Sequence, residues 1–465
     1  MARPRAGHCP RQPAEPGVTL APLRTVAARW DKPRRSRTAC PAWPQADLLR
    51  RIRQAIALTR RTLQVAIAQG DGPQHTEDTR PGGTRPLNLE KVVGEAAMLA
   101  RCAFLANAGD AALNAEVDGL ARDLAPQARG ESVQARICAD PAGAVGHASA
   151  HVCLSDIGHR DARFERFLQE VRATDLGGGP ERLPNQLLEW HWLECIGRSA
   201  SHDPANGHRV WLAQTCASRP LDVLCSSTID LYIFTHVVLY ASDMGQRAVQ
   251  WPRDPAQVVA ESDASLAAAL DAENFDLAAE LLWTWPMLGL QWSATAEFAF
   301  ELLSNVQDEH GFLPGPEFRL AHSLALSASQ RDDYMLRTSY HATLVMGLLC
   351  AASGRSGRRP TRRVAMVAGG AGCGADPLLG LLPNRSCQPR WLALHATQCG
   401  ADRAALAPLL INVSLRRAAA AGDLGQLGRI LESALRDAAW SELPAVQQAA
   451  ALLLRASALA RLRQR

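Results

Sequence analysis

Apolar residues recur along this chain at intervals of three and four, the period of one helix face. The clearest case is Leu87 to Asn107, where Leu89, Val92, Val93, Ala96, Leu99, Ala100 and Ala103 form one stripe, with Glu95 close beside it. Leu48, Leu49, Ile52, Ile56, Leu58, Leu63, Val65 and Ile67, separated by arginines, predict a helix over 46–68. The same reading predicts helices at 111–124, 162–173, 184–197, 229–242, 256–271, 274–288, 293–306 and 332–351. Four more, rich in alanine and leucine, are predicted at 391–398, 401–420, 423–437 and 443–462, with a tight helical hairpin around Gly422-Asp423. β-Branched alternation is nearly absent. The expected fold is all-α: antiparallel helical hairpins in an α/α toroid-like or curved solenoid array.

The pattern breaks in several places. Residues 1–45 are Arg/Pro-rich and aperiodic, which predicts a disordered tail. Residues 70–86 and 307–318 read as loops, as does Gly177-Gly178-Gly179-Pro180, and the Gly/Arg/Pro-rich stretch 352–390 as a disordered or loop insertion. The expected organisation is a main helical domain at 46–351 and C-terminal helices at 391–465 packing on it.

Composition narrows the classes of function. A chain of 465 residues is long for one core, at about 150 residues per domain, but a helical array grows by stacking hairpins. Of the 50 basic residues only Lys32 and Lys91 are lysine, a bias that fits a GC-rich genome better than phosphate binding. The net charge is only +4 and no basic stripe with interleaved aromatics occurs, so nucleic acid is not an expected partner. No apolar run reaches about 18 residues, so no membrane span is expected. None of the 12 cysteines forms a C-x-x-C pair, which argues against structural zinc. The N-terminus lacks an apolar signal region. Reduced, mostly buried thiols in a cytoplasmic protein are therefore expected.

The chemistry concentrates in one third of the chain. Thr235-His236-Val237-Val238-Leu239-Tyr240-Ala241-Ser242-Asp243-Met244-Gly245 sets three polar side chains in an apolar run. On an uninterrupted helix His236, Tyr240 and Asp243 fall within about 60° of one another. Buried polar groups on one stripe are either satisfied by partners or used by a ligand. Asp276 and Glu280 are an i, i+4 carboxylate pair, suited to a cation or to acid and base roles. The plainer alternative is a dipole-favoured first-turn Asp, after an Asn274 N-cap, and a Glu bonded to a neighbouring helix end. Tyr340-His341-Ala342-Thr343-Leu344-Val345 places a second histidine in an apolar helix. Such a lone histidine is more often a bonded core residue than a ligand. Two histidines and two carboxylates on neighbouring helices could form a metal site, but the E-x-x-H spacing of di-iron bundles is missing, and no metal ligand is assigned.

Other motifs carry less. Gln307 through Pro316 partly resembles the Q-x-x-x-G-x-W motif of squalene and oxidosqualene cyclases, with Leu313 in place of the tryptophan. There is a single copy, and no D-x-D-D or D-D-x-x-D motif accompanies it, so it reads as a structural tie between helix ends. Gly369 to Ala375 mimics a dinucleotide loop, but Pro377 follows and no βαβ unit surrounds it. No G-x-S-x-G elbow occurs.

Several of these segments, in this order, resemble an uncharacterised, mainly actinomycete, all-helical family of unknown function. They are Gly94 to Leu99, Tyr232 with Thr235 to Gly245, Asp276 to Leu282, Gln307 to Gly315, and Tyr340 to Val345. The family pattern T-H-x-x-x-Y-x-T-D-F-G is kept except for Ser242 and Met244. Members often sit near natural-product genes, so the resemblance implies an accessory protein of secondary metabolism. It implies no catalytic role.

The expected site is the concave centre of the array. His236, Asp243 and Glu280 are the catalytic candidates, with His236 as base oriented by Asp243. Tyr240, Asp276 and His341 are the ligand-binding candidates. The expected partner is a small molecule or peptide. An enzyme with a His/Asp/Glu site is the first alternative and a structural scaffold the second. The cofactor and the oligomeric state stay open.

Overall fold

A computed structural model describes residues 42–69, 86–106, 109–174, 181–197, 204–355, 357–361, 378–382 and 388–463. The expected tail up to 41, nearly all of the 70–86 loop, the glycines at 177–180 and the glycine run at 369–375 lie outside the described residues. Among the described residues the fold is all-helical, and the only bridge is Ala42 with Thr361.

The principal helices, numbered here in chain order, are α1 Gln45–Gln69, α2 Leu89–Ala106, α3 Ala111–Ala128, α4 Ser149–Asp156 and α5 Pro184–Gly197. They continue with α6 Thr228–Ala241, α7 Pro255–Asp271, α8 Phe275–Leu282, α9 Ala294–His310 and α10 Ala328–Ser353. The last are α11 Ala407–Ala420, α12 Leu424–Ala434 and α13 Pro444–Arg463.

Local signals explain the ends. Ser227 and Asp230 form a capping box that starts α6. Ser293 and Asp254 cap α9 and α7, and Pro255 occupies the first turn of α7 where its missing N–H is harmless. Two expectations differ from the structure. Helix α9 runs on through Gln307-Asp308-Glu309-His310 and stops at Gly311 in a left-handed cap, so the expected loop starts later. The helix expected over 274–288 breaks after Leu282 and resumes at Thr284–Leu288, which contains Pro286.

Packing is non-local. Helix α1 lies along α10, which also touches α2 and α8. A β-carbon at Gly347 would collide with that of Ala55, so glycine there allows the close approach of α1 and α10. Helix α8 packs against α6, α7, α9 and α10, and all eight of its residues are buried. That enclosure forces its two carboxylates out of bulk water. Gln307 is fully buried and ties α9 to α1, accepting from Arg51 Nη1 at 2.8 Å and donating to Gln54 at 3.1 Å. This is the role expected of the cyclase-like motif.

The margins of the expected domains also pack. Trp43, placed by sequence in the tail, is buried, with its ring 4.9 Å from that of Phe300. Arg358, from the expected insertion, donates to the carbonyls of Gly245 and Pro286, both at 2.8 Å. Helix α11 packs on α7, where Arg417 pairs with Asp271. Cys102, Cys153 and Cys350 are buried, and burial pushes their thiols up to about 12, whereas Cys138, Cys225 and Cys399 are exposed. No helix among the described residues is long and apolar enough to cross a membrane.

Candidate functional site

The Asn274 side chain accepts the Leu277 N–H, so α8 begins at Phe275 and places Asp276 in its first turn. Glu280, one turn on, shares that face. Asp276 Oδ2 accepts the Tyr232 hydroxyl at 2.7 Å, and Glu280 Oε2 accepts the Thr235 hydroxyl at 2.5 Å, both donors coming from α6. The other oxygens, Asp276 Oδ1 and Glu280 Oε1, are buried without a hydrogen-bond partner.

His341 of α10 faces these two oxygens. Its Nε2 stands 3.6 Å from Asp276 Oδ1 and 3.7 Å from Glu280 Oε1. Its Nδ1 stands 3.1 Å from Glu95 Oε2 on α2. Glu95 also takes a hydrogen bond from Tyr340 and has Lys91 Nζ 3.5 Å from its second oxygen. On the other side, His236 Nε2 lies 3.8 Å from Glu280 Oε2, with 43% of its side chain exposed. The His236 ring is 6.0 Å from that of Tyr240, whose hydroxyl bonds Glu189 of α5. Five helices thus contribute to one polar cluster. It is closed beneath by α8 and reaches solvent at the two histidines.

Electrostatics follow from burial. Burial pushes the Asp276 carboxyl up, against the pull of His341, and Glu280 adds to the rise. Burial would push the His341 imidazole down, but Asp276 and Glu95 overcome it and hold His341 well above its ordinary value. Glu95 is held below the usual carboxylate range despite its burial, chiefly by His341. Burial also raises the Glu189 carboxyl and the Tyr232, Tyr240 and Tyr340 phenols, which stay protonated as donors. Among the described residues, the cationic partners of Glu95, Asp276 and Glu280 are Lys91 and the two histidines. Three carboxylates withdrawn from water thus share Lys91 and the two histidines as their cationic partners.

Five of the six expected residues, His236, Tyr240, Asp276, Glu280 and His341, meet in this cluster. Asp243 does not. Helix α6 ends at Ala241, and Asp243 and Met244 turn left-handed with φ of 50° and 51°. That carries Asp243 off the helical stripe and onto Arg101, whose Nη1 and Nη2 donate to its oxygens at 2.8 and 3.2 Å. Trp192 Nε1 donates to it as well, at 2.7 Å. Asp243 anchors a helix corner and does not orient His236. The turn needs glycine at 245, where φ is 81° and a β-carbon would press on Met287 and Arg358.

Sequence reasoning missed Glu189, Tyr232 and Thr235 as site residues, and saw Glu95 only as a neighbour of an apolar stripe. For Glu95 that position was the usable signal, because a carboxylate at the edge of a buried face requires a partner. Glu189 lies in Leu187-Leu188-Glu189-Trp190, where only the contact with α6 distinguishes it.

Residues 58–351 match the family described as Domain of unknown function (DUF6895). That span holds every residue of the polar cluster. No curated protein and no solved structure matches the chain.

Proposed function

This chain belongs to the DUF6895 family, and from that premise we propose that its helical domain binds a small molecule at the polar cluster, through a positively charged group on the ligand side. The carrying observation is that Asp276 and Glu280 are buried yet each keeps one oxygen without a partner. A scaffold would have satisfied those atoms, because a buried acceptor left unpaired costs about 1–3 kcal/mol. A cationic ligand supplies what the fold withholds. His236 and Tyr240 line the entrance and supply orientation. A secondary metabolite or peptide, the class the family resemblance implies, fits this reading when it presents an ammonium or a bound cation.

A catalytic reading is favoured by one feature. His236 is half-exposed and backed by the buried Glu280, an arrangement suited to moving a proton on a bound ligand.

Thermal denaturation with primary amines and with carboxylates of matched size tests the binding reading. Amines should raise the melting temperature, by an amount equivalent to about 2.7 kcal/mol at 100 times Kd. Asp276→Asn should abolish the shift while the unliganded protein still melts cooperatively. Equal responses to amines and carboxylates, or a shift unchanged in Asp276→Asn, would overturn it.

A further inference from the structure

We propose that Asp276, Glu280 and His341 form a binding site for a divalent first-row transition metal, with one coordination position left open for a ligand atom. The proposal deepens the reading above and rests on it, because the metal would be the positive group to which the small molecule attaches.

The spacing is the first argument. The His341 Nε2 distances of 3.6 and 3.7 Å to Asp276 Oδ1 and Glu280 Oε1 exceed the 2.7–3.2 Å usual for N–H···O hydrogen bonds. They match the edge of a ligand tetrahedron, about 3.4 Å when metal–ligand bonds are about 2.1 Å. One nitrogen and two oxygens, one from each residue, lie within 4.8 Å of one another.

The surrounding hydrogen bonds are the second. Each ligand is held from behind by a partner that leaves its inward atom free. Tyr232 occupies Asp276 Oδ2 and Thr235 occupies Glu280 Oε2, leaving Oδ1 and Oε1 without a partner. Glu95 Oε2 stands 3.1 Å from His341 Nδ1, so a carboxylate backs the ring, and a metal would take Nε2 by displacing its proton. A carboxylate behind a histidine ligand is the usual outer support of such sites. Asp276 and Glu280 are each more than nine-tenths buried, so their free oxygens do not face bulk water.

The ligand set indicates the metal. One imidazole and two carboxylates suit Zn²⁺, Mn²⁺ or Fe²⁺, whereas Mg²⁺ and Ca²⁺ favour all-oxygen shells. Three protein ligands leave a position for water or a ligand atom, as in catalytic sites and unlike closed structural ones. His236, half-exposed, lies 3.8 Å from Glu280 Oε2, the oxygen that Thr235 also occupies, and so borders the site.

Manganese is the probe of choice, because the thiols of this cysteine-containing chain compete poorly for it. Full-length protein is stripped with EDTA and titrated with MnCl2, and free Mn²⁺ is followed by its six-line paramagnetic resonance spectrum. One equivalent should disappear from that spectrum in wild type. Asp276→Asn and His341→Gln should each weaken binding at least 100-fold, and Glu95→Gln by about 10–100-fold as an outer support. Circular dichroism verifies that each variant is folded, and Glu280→Gln replaces any that is not. No bound Mn²⁺ in wild type, or binding unchanged in the folded ligand variants, would overturn the metal. If metal fails while amines still raise the melting temperature in an Asp276-dependent way, the small-molecule reading survives alone. If metal binds and no small molecule does, the metal site stands without that reading.

Discussion

Two buried charged clusters border α6, one just past its C-terminal end and one along its length, and they are built on opposite principles. At its C-terminal end, Asp243 receives two bonds from Arg101 and one from Trp192, while Arg101 Nε also reaches Asp156 at 2.8 Å. There Arg101 faces two carboxylates, and both oxygens of Asp243 accept hydrogen bonds. Arg355 and Arg358 close the corner by donating to the Gly245 carbonyl. Nearer its N-terminal end, Tyr232 and Thr235 satisfy only half of each α8 carboxylate, and carboxylates outnumber fixed cations. In the first cluster both oxygens of Asp243 have hydrogen-bond partners, and in the second Asp276 Oδ1 and Glu280 Oε1 have none. Burial and charge alone therefore do not mark a site. What separates the two clusters is that the acids of the second keep inward oxygens without a hydrogen-bond partner.

The largest contrast should come from deleting an acid in each cluster. Asp243→Ala leaves buried Arg101 with Asp156 as its one remaining carboxylate and Trp192 without its acceptor, and should lower stability by about 3 kcal/mol in urea denaturation. A loss under 1 kcal/mol would mean the corner is not the structural anchor described here.

The corner should also show in acid. His208 donates from Nε2 to the Ala241 carbonyl at 2.8 Å, and burial with Arg247 beside it lowers its pKa from 6.5 to about 4. Because the folded state resists protonation, stability is flat above pH 6.5 and falls as pH drops toward 4. The loss is on the order of 2–3 kcal/mol at the lower end. His151, buried beside Arg129 and likewise lowered to about 4, acts in the same direction. His208→Gln should remove part of this slope between pH 6.5 and 4.5, and an unchanged slope would exclude His208 as a source.

The opposite sign is expected in the incomplete cluster. Asp276 has a raised pKa, so its ionised form opposes folding above the ordinary carboxylate range. In metal-free protein at pH 7, Asp276→Asn should leave stability unchanged or raise it by about 1 kcal/mol. Destabilisation comparable to that of Asp243→Ala would erase the distinction between the clusters. The smallest effect belongs to Lys91, whose side chain is 56% exposed beside Glu95. Lys91→Ala should change stability by no more than about 0.5 kcal/mol in the same assay.

Much of the candidate site was legible because helical period alone orders it. Asp276 and Glu280 share a face by their spacing, and His236, Tyr240 and His341 stood out as polar residues in apolar helices. Asp243 was misplaced because helical period puts it on the stripe only if α6 continues past Ala241, where it ends. Two non-glycine residues with positive φ before Gly245 are rare, and they persist here because the surrounding bonds hold them. Glu189 was invisible because its partner Tyr240 is on another helix.

By itself, then, the sequence determined that this protein is all-α, where most helices run, and which polar residues lie among apolar ones. Those properties depend on neighbours three or four positions apart, which any helix brings together. Only the tertiary structure decided which of those residues are satisfied. Whether Asp243 meets Arg101, or Glu280 keeps a free oxygen opposite His341, depends on packing between helices distant in sequence. The sequence placed both acids among the site candidates, and the fold made one an anchor and left the other with an unpartnered oxygen.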